Sequence, residues 1–245
     1  MEDNLFLISF YSTIISTIVF YIFKKKEILI DKTSLSKHKK LINSSTGTIP
    51  SCGGIIIFIC SAVFFKELIL LNLFGFCMLM IGIFSDSNKI SSPKIRILTQ
   101  IILLLLFVLF IELRIQNIRI DFFNELLSIN LISIIFTIFC ILVLINGSNF
   151  LDGINTLLIG YYILVCSFLI ILSTKQNLII NQNINLFLIF LIIIFLFNFF
   201  GKVFLGDSGA YLISFYAAFF LIDFSMKNNS VSPYLICFFL WYPAF

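Results

Sequence analysis

The sequence predicts an all-α polytopic integral membrane protein with about nine transmembrane helices, forming a single membrane domain over residues 1–245. Composition indicates this class, because 60% of the 245 residues are hydrophobic and only 11% are charged. A soluble domain has too little polar surface to cover so much apolar material. Apolar runs of roughly 17–20 residues also recur, and a helix of that length crosses about 30 Å of hydrocarbon.

Nine apolar segments follow one another along the chain, and each predicts one helix. They span residues 5–23, 52–65, 68–84, 97–113, 131–147, 157–173, 185–200, 209–224 and 234–245. The first is not typical of a cleaved signal peptide, because acidic residues precede it and three lysines follow it. Residues 113–121 alternate apolar and polar side chains, which predicts a small β-hairpin between two helices.

Basic residues are divided unevenly between the two sides of the predicted bundle. With the N-terminus outside, eleven of the 16 lysines and arginines fall in inner loops and five in outer loops. Cytoplasmic loops carry such an excess, so the N-terminus is predicted to lie outside. The net charge of +4 then reflects topology. No basic patch interleaved with aromatic residues points to a nucleic-acid partner.

Polar interruptions are concentrated on the inner side of this arrangement. They occupy residues 45–54, 82–100, 146–155 and 201–210. Three acids, Asp86, Asp152 and Asp207, each lie at the inner end of an apolar segment. An acid at the centre of a membrane helix costs about 2.5–3.5 kcal/mol, so acids beside such segments usually have a function. We expect the three carboxylates to meet in a cleft on the cytoplasmic face.

The residue types around these acids are typical of a metal and phosphate site. Carboxylates near amides bind Mg²⁺ together with substrate phosphates. Asn149 and Asp152 are three residues apart, hence on one helix face. Gly206 and Gly209 let a ligand approach the backbone at the start of a helix, which attracts anions. Cations for phosphate oxygens are supplied by Lys89, Lys94, Arg96 and Lys202. The pattern predicts metal-assisted phosphoryl transfer at a membrane face.

Each acid also has an ordinary structural explanation. Asp207 followed by Ser208 is typical of a helix N-cap. Asp152 before Gly153 is typical of a turn, and Asp86 of a polar loop. Their shared position on one side of the predicted membrane domain favours a functional role.

Two other classes of protein are disfavoured by the same residues. Gly-Asp-Ser-Gly at 206–209 also surrounds the nucleophile of trypsin-like proteases, but a serine triad needs a neighbouring histidine. The only histidine is His38, in a lysine-rich loop. A transporter would place its acids near the bilayer midplane, whereas these lie at segment ends.

Four motifs, in order, resemble those of the polyprenyl-phosphate N-acetylhexosamine-1-phosphate transferases of glycosyltransferase family 4. That family includes the phospho-MurNAc-pentapeptide translocase and the undecaprenyl-phosphate GlcNAc-1-phosphate transferases. The motifs are IPSCGG at 49–54, SDSNKISSPKIRILTQ at 85–100, NGSNFLDGINTL at 146–157 and KVFLGDSGA at 202–210.

The resemblance implies a reaction and a location. A sugar 1-phosphate would pass from a UDP-N-acetylhexosamine to undecaprenyl phosphate and release UMP, with Mg²⁺, or Mn²⁺ in its place, as the cofactor. The reaction would serve cell-wall, lipopolysaccharide or other surface-polysaccharide synthesis in the bacterial inner membrane. The lipid bilayer is an expected partner, and a homodimer is left open.

The resemblance also implies roles for individual residues. Asp207 and Asp152 would hold the metal, and Asp86 would bind or deprotonate the lipid phosphate as the third catalytic acid. Phe204 would stack on uracil. The other substrate-binding residues would be Asn149, Asn155, Lys89, Arg96 and Lys202.

The chain departs from the family pattern at three places. Ser85 stands for the first acid of an Asp-Asp pair, and Asn155 for the last acid of the third motif. These changes remove two negative charges from the expected cleft, so the alternative interpretation is that the chain is an inactive paralogue of the family. The family's later histidine-rich loop and final helix do not follow LWYPAF at 240–245. We therefore expect a C-terminally truncated chain with little activity.

Overall fold

The computed structural model describes residues 2–32, 48–154 and 156–245 and is predominantly helical over these ranges, which confirms the predicted all-α class. The helices are α1 (Glu2–Lys26), α2 (Gly53–Phe64), α3 (Ile69–Asp86), α4 (Pro93–Ile111), α5 (Asp121–Leu127), α6 (Asn130–Leu151), α7 (Leu157–Gln176), α8 (Asn183–Phe199), α9 (Gly206–Lys227), α10 (Pro233–Trp241) and a 3₁₀ turn (Tyr242–Ala244). Two short strands, β1 (Ile30–Lys32) and β2 (Thr48–Pro50), pair antiparallel. The sequence did not predict this pair.

Several helices are long and apolar enough to cross a membrane, which supports a multi-pass membrane protein. The six such helices in the described chain lie at Leu5–Lys26, Ile69–Asp86, Pro93–Ile111, Asn130–Leu151, Leu157–Gln176 and Gly206–Lys227. Three further apolar helices are shorter: Gly53–Phe64, Asn183–Phe199 and Pro233–Ala244. Every predicted apolar segment thus contains a helix, while the number of crossings stays a prediction.

The β-hairpin predicted for residues 113–121 is wrong. No strand occurs there, and the segment runs without regular structure into α5. Its backbone bonds α6 side chains instead of a partner strand: the Ile115 amide donates to Thr137 Oγ1 at 2.9 Å, and Ser133 Oγ donates to the Ile115 carbonyl at 2.8 Å. The alternation of apolar and polar residues could not show that the hydrogen-bond partners of this backbone are side chains of α6.

Helix α9 lies at the centre of the bundle, with 16 of its 22 residues buried. Helices α2, α3 and α6 make its most extensive contacts. Aromatic side chains also pack α9 against α4, where the Phe107 and Phe215 rings meet edge to face at 4.7 Å. Since lipid is as apolar as the helices, such packing and interhelical hydrogen bonds hold membrane bundles together.

A hydrogen-bonded cluster joins the middle of α9 to α2 and α3. The Tyr216 hydroxyl donates to Asn72 Oδ1 at 3.0 Å and lies 2.9 Å from Ser61 Oγ. Asn72 Nδ2 in turn donates to the Ser61 carbonyl at 3.2 Å. These bonds satisfy polar groups inside an apolar bundle and fix the register of the three helices.

Candidate active site

The predicted polar interruptions are joined at one end of the bundle, which we call the site end (residues 50–54, 82–96, 149–154, 156 and 198–211). Hydrogen bonds link the end of α3 to the start of α9, and strand β2 to the loop before α9. Another pair links the α6–α7 connection to the end of α8. The site end therefore holds together segments that are far apart in the sequence.

Asp86 closes the N-terminus of α9 from a neighbouring helix. Its Oδ1 accepts from the Asp207 amide at 2.8 Å, and its Oδ2 accepts from the Ser208 amide at 3.1 Å. The first amides of a helix have no partner within it, and the residue before the helix normally supplies one. Here that residue is Leu205, which has no side-chain acceptor. Asp86 thus acts as an N-cap supplied by α3, and it sets the position of Asp207.

Glycines allow this close approach. Gly206 has a φ of +66°, in the left-handed region, and a Cβ there would lie 2.8 Å from Asp86 Oδ2. A Cβ on Gly82 of α3 would lie 2.3 Å from Ser208 Cα. One on Gly54 of α2 would lie 2.7 Å from the Gly209 backbone. Only residues without a side chain let α2 and α3 touch the α9 backbone, as small residues do at other membrane helix contacts.

Asp207, Arg96 and Ser85 form one contact group beside this cap. Arg96 Nη1 donates to Asp207 Oδ2 at 3.0 Å and to Ser85 Oγ at 2.8 Å. Ser85 Oγ donates to the same Asp207 Oδ2. Arg96 also reaches the Tyr211 hydroxyl at 3.5 Å. About a quarter of the Arg96 and Asp207 side chains is exposed, so the group borders the surface of the site end.

Phe204 is held through its backbone. Its amide donates to the Pro50 carbonyl at 3.1 Å, and its own carbonyl accepts from the Gly53 amide at 3.1 Å. The loop before α9 is therefore fixed to the start of α2, and the Phe204 side chain is half-buried. Lys89 and Lys202 are exposed at the site end, with the Lys89 ammonium 5.7 Å from the centre of the Phe84 ring.

The third predicted motif is largely helical. Helix α6 continues to Leu151, so Asn149 lies in its last turn and Asp152 is its C-cap residue. Both are half-buried. Asn155 and His38 lie outside the described residues, as do residues 33–40 of the lysine-rich loop.

The structure tests how these groups suit a metal ion. No three Asp, Glu, His or Cys side chains within residues 2–32, 48–154 and 156–245 form a group able to hold one. Asp86, Asp152 and Asp207 thus do not form the three-carboxylate group expected from the sequence. Both oxygens of Asp86 accept from α9 amides. Among the described residues, the hydrogen bonds that the Asp207 carboxylate accepts both fall on Oδ2, which leaves Oδ1 for a cation. One such carboxylate oxygen with substrate phosphates suits Mg²⁺.

Sequence reasoning missed the part played by Asn198, which is 3% exposed. Its Oδ1 accepts from the Thr156 amide at 2.7 Å, and its Nδ2 donates to the Val203 carbonyl at 2.8 Å. It thereby joins the third and fourth motifs. The sequence signal for this role was a polar side chain, that of Asn198, inside the apolar run 185–200, since polar residues in such runs usually have a hydrogen-bond partner.

Comparison with known families gives one match. The model of the family described as glycosyl transferase family 4 matches residues 68–225, which is more than half of the chain. The matched range contains Asp86, Arg96 and Asp207. None of the curated proteins matches the chain.

Proposed function

Because the chain belongs to glycosyl transferase family 4, we propose that it transfers an N-acetylhexosamine 1-phosphate from a UDP-sugar to undecaprenyl phosphate and releases UMP. Membership supports a transferase with a lipid-linked substrate. The observation that carries the finer proposal is the contact group at the site end, where Asp207 is fixed between the Asp86 cap and Arg96.

The proposed reaction exchanges one phosphoryl bond for another. An oxygen of the lipid phosphate forms a bond to the β-phosphorus of the UDP-sugar. The bond from that phosphorus to the bridging oxygen breaks, and UMP leaves with the electron pair. Catalysis of such a transfer consists mainly of positioning and of stabilising charge on the phosphates. Arg96, Lys89 and Lys202 would bind phosphate oxygens by charge-assisted hydrogen bonds.

The remaining residues would hold the substrates in place. Phe204 would stack on uracil from a loop whose backbone is bonded at two points. Asn149 and Asp152, at the end of α6, would line the nucleotide side of the cleft, and Asn155 is proposed to do the same. Mg²⁺, or Mn²⁺ in its place, would be held by Asp207 with Asp152 and would withdraw charge from the diphosphate. Asp86 would keep the Asp207 carboxylate in position.

UMP release tests this function directly. The purified chain in detergent receives undecaprenyl phosphate, Mg²⁺ and a panel of UDP-sugars, and UMP is measured. Asp207→Asn should lower turnover at least about a hundredfold, because a preorganised charge is lost. Ser208→Ala is the matched control and should retain most of it, since Ser208 contributes its backbone amide and the fully buried side chain gains no bulk. Equal losses in both variants would contradict the assignment of Asp207, and no turnover with any donor would favour an inactive paralogue.

We also propose that the chain crosses the bacterial plasma membrane nine times, with the N-terminus outside and the site end in the cytoplasm. The excess of lysine and arginine in inner loops supports this orientation. Single cysteines replacing Asn88 and Ser128, both exposed, test it in a cysteine-free background. An impermeant thiol reagent added to whole cells should label position 128 and leave position 88 unlabelled. The reverse pattern would refute the orientation.

A further inference from the structure

Asp207 is paired with a positive charge inside its own site. Arg96 Nη1, Ser85 Oγ and Asp207 Oδ2 are bonded to one another, so one carboxylate oxygen accepts from both a guanidinium and a hydroxyl. Ser85 is buried, with 8% of its surface exposed, so it holds Arg96 at this point from inside the bundle. A residue that binds both members of an ion pair fixes their geometry.

The charges of this group oppose binding of a free cation. Within the contact group, Asp207 contributes one negative charge, Arg96 one positive charge and Ser85 none, so the group carries no net charge. Asp86 already accepts two amide hydrogen bonds, one on each oxygen. The remaining carboxylate, Asp207, is compensated by Arg96 at 3.0 Å. A divalent cation that approaches Asp207 therefore meets a guanidinium on the same carboxylate.

We infer that Ser85 and Arg96 shield Asp207 in the free protein, so that a divalent cation binds this carboxylate together with the diphosphate of the nucleotide and not before it. The inference rests on the proposed function, in which Asp207 is the metal ligand. A diphosphate supplies anionic oxygens that bind a guanidinium well. With that second acceptor, Arg96 no longer neutralises Asp207. Ser85 is the positioning residue of this arrangement, because its hydroxyl holds Arg96 against the acid.

Mn²⁺ alone is the probe for the free site, and its binding is followed by electron paramagnetic resonance of the unbound ion. Ser85→Asp adds one negative charge, whereas Ser85→Asn has the same shape and adds none. An added charge about 6 Å from a divalent ion in a water-like dielectric corresponds to roughly a tenfold change in affinity. Ser85→Asp should therefore bind Mn²⁺ about tenfold more tightly than the unaltered chain. Ser85→Asn should stay within about twofold of it, because its amide can accept from Arg96 and donate to Asp207 as the Ser85 hydroxyl does.

Two further variants separate the outcomes. Arg96→Gln removes one positive charge, which changes the net charge by the same amount as Ser85→Asp. It should also tighten Mn²⁺ binding, so it tests the inference if Ser85→Asp does not fold. Asp207→Asn should abolish the binding. If Asp207→Asn binds Mn²⁺ normally, the proposed metal assignment fails. If Asp207→Asn loses Mn²⁺ while the two charge variants bind it no more tightly, the shielding inference fails and the proposed function stands.

Thermal unfolding tests the dependence on nucleotide without any turnover. A ligand that binds the folded state raises its stability by an amount that grows with the logarithm of the ligand concentration divided by Kd. For the unaltered chain, Mg²⁺ alone should shift Tm little, and Mg²⁺ with UDP should shift it more than the two separate shifts added together. For Ser85→Asp, Mg²⁺ alone should already raise Tm. An unaltered chain that Mg²⁺ alone stabilises as strongly as Mg²⁺ with UDP would overturn the inference.

Discussion

Removing the Asp86 carboxylate should destabilise the protein through the start of α9. Asp86→Ala eliminates two hydrogen bonds, to the amides of Asp207 at 2.8 Å and Ser208 at 3.1 Å. A buried donor left without a partner costs about 1–3 kcal/mol, and an N-cap replaced by alanine costs roughly 0.5–2 kcal/mol. Since the two estimates describe overlapping losses, we expect a decrease of about 2–4 kcal/mol in the free energy of unfolding. Asp86→Asn, which keeps one acceptor oxygen, should lose about half as much.

Unfolding in mixed detergent–SDS micelles, followed by far-ultraviolet circular dichroism, measures this decrease. Asp223→Ala is the matched control, because Asp223 is also an α9 acid but, within the part of the chain that the structure describes, it pairs with the partly exposed Lys227 at 2.8 Å and not with a backbone amide. Such surface pairs contribute about 0–1 kcal/mol. If Asp86→Ala unfolds at the same SDS fraction as Asp223→Ala, Asp86 does not cap α9. A loss of UMP release at unchanged stability would then favour a direct catalytic role for this acid.

Two other substitutions test the contacts around the site end by the same unfolding measurement. Gly82→Ala should cost about 1–3 kcal/mol, since its methyl group would lie 2.3 Å from the α9 backbone, whereas Gly160→Ala, with no atom nearer than 3.7 Å, should cost less than about 0.5 kcal/mol. Equal losses of stability in Gly82→Ala and Gly160→Ala would show that the close contact between Gly82 and α9 does not exclude a methyl group. Asn198→Ala should cost about 2–3 kcal/mol and slow UMP release, because the bonds to Thr156 and Val203 are lost. Unchanged stability and turnover would contradict its linking role.

Much of the helical arrangement was predictable because membrane spans carry their signal in local composition. Each apolar run became a helix, and the polar interruptions became helix ends. Two helices extend beyond the predicted apolar segments, because the polar residues next to those segments also fit a helix. Helix α4 begins at Pro93 and not at 97, since proline suits a first helical turn, and α6 continues past 147 to Leu151. The β1–β2 pair was not predicted, because each strand is three residues long and its partner lies across residues 33–47.

The site was predictable as a set of residues but not as a set of contacts. Asp86, Arg96 and Asp207 were all identified, and the structure brings them together. The sequence cannot show that Asp86 bonds backbone amides and not a ligand, since an N-cap is normally sought in the residue just before the helix. Ser85 was identified only as a missing charge, although its hydroxyl bonds both Arg96 and Asp207.

The enclosed position of α9 has a consequence for how the chain enters the membrane. Gly206–Lys227 has the lowest mean hydropathy of the six long apolar helices, 1.5, and 83% of its 18-residue apolar window is buried, the largest share among the six. Insertion from the translocon depends on the apolarity of each segment, so α9 is the weakest candidate of the six for entering lipid by itself. Helices α2, α3 and α6 precede it in the chain and are its main neighbours. The surrounding helices are therefore synthesised before α9, so α9 can leave the translocon by packing against helices that are already in the membrane.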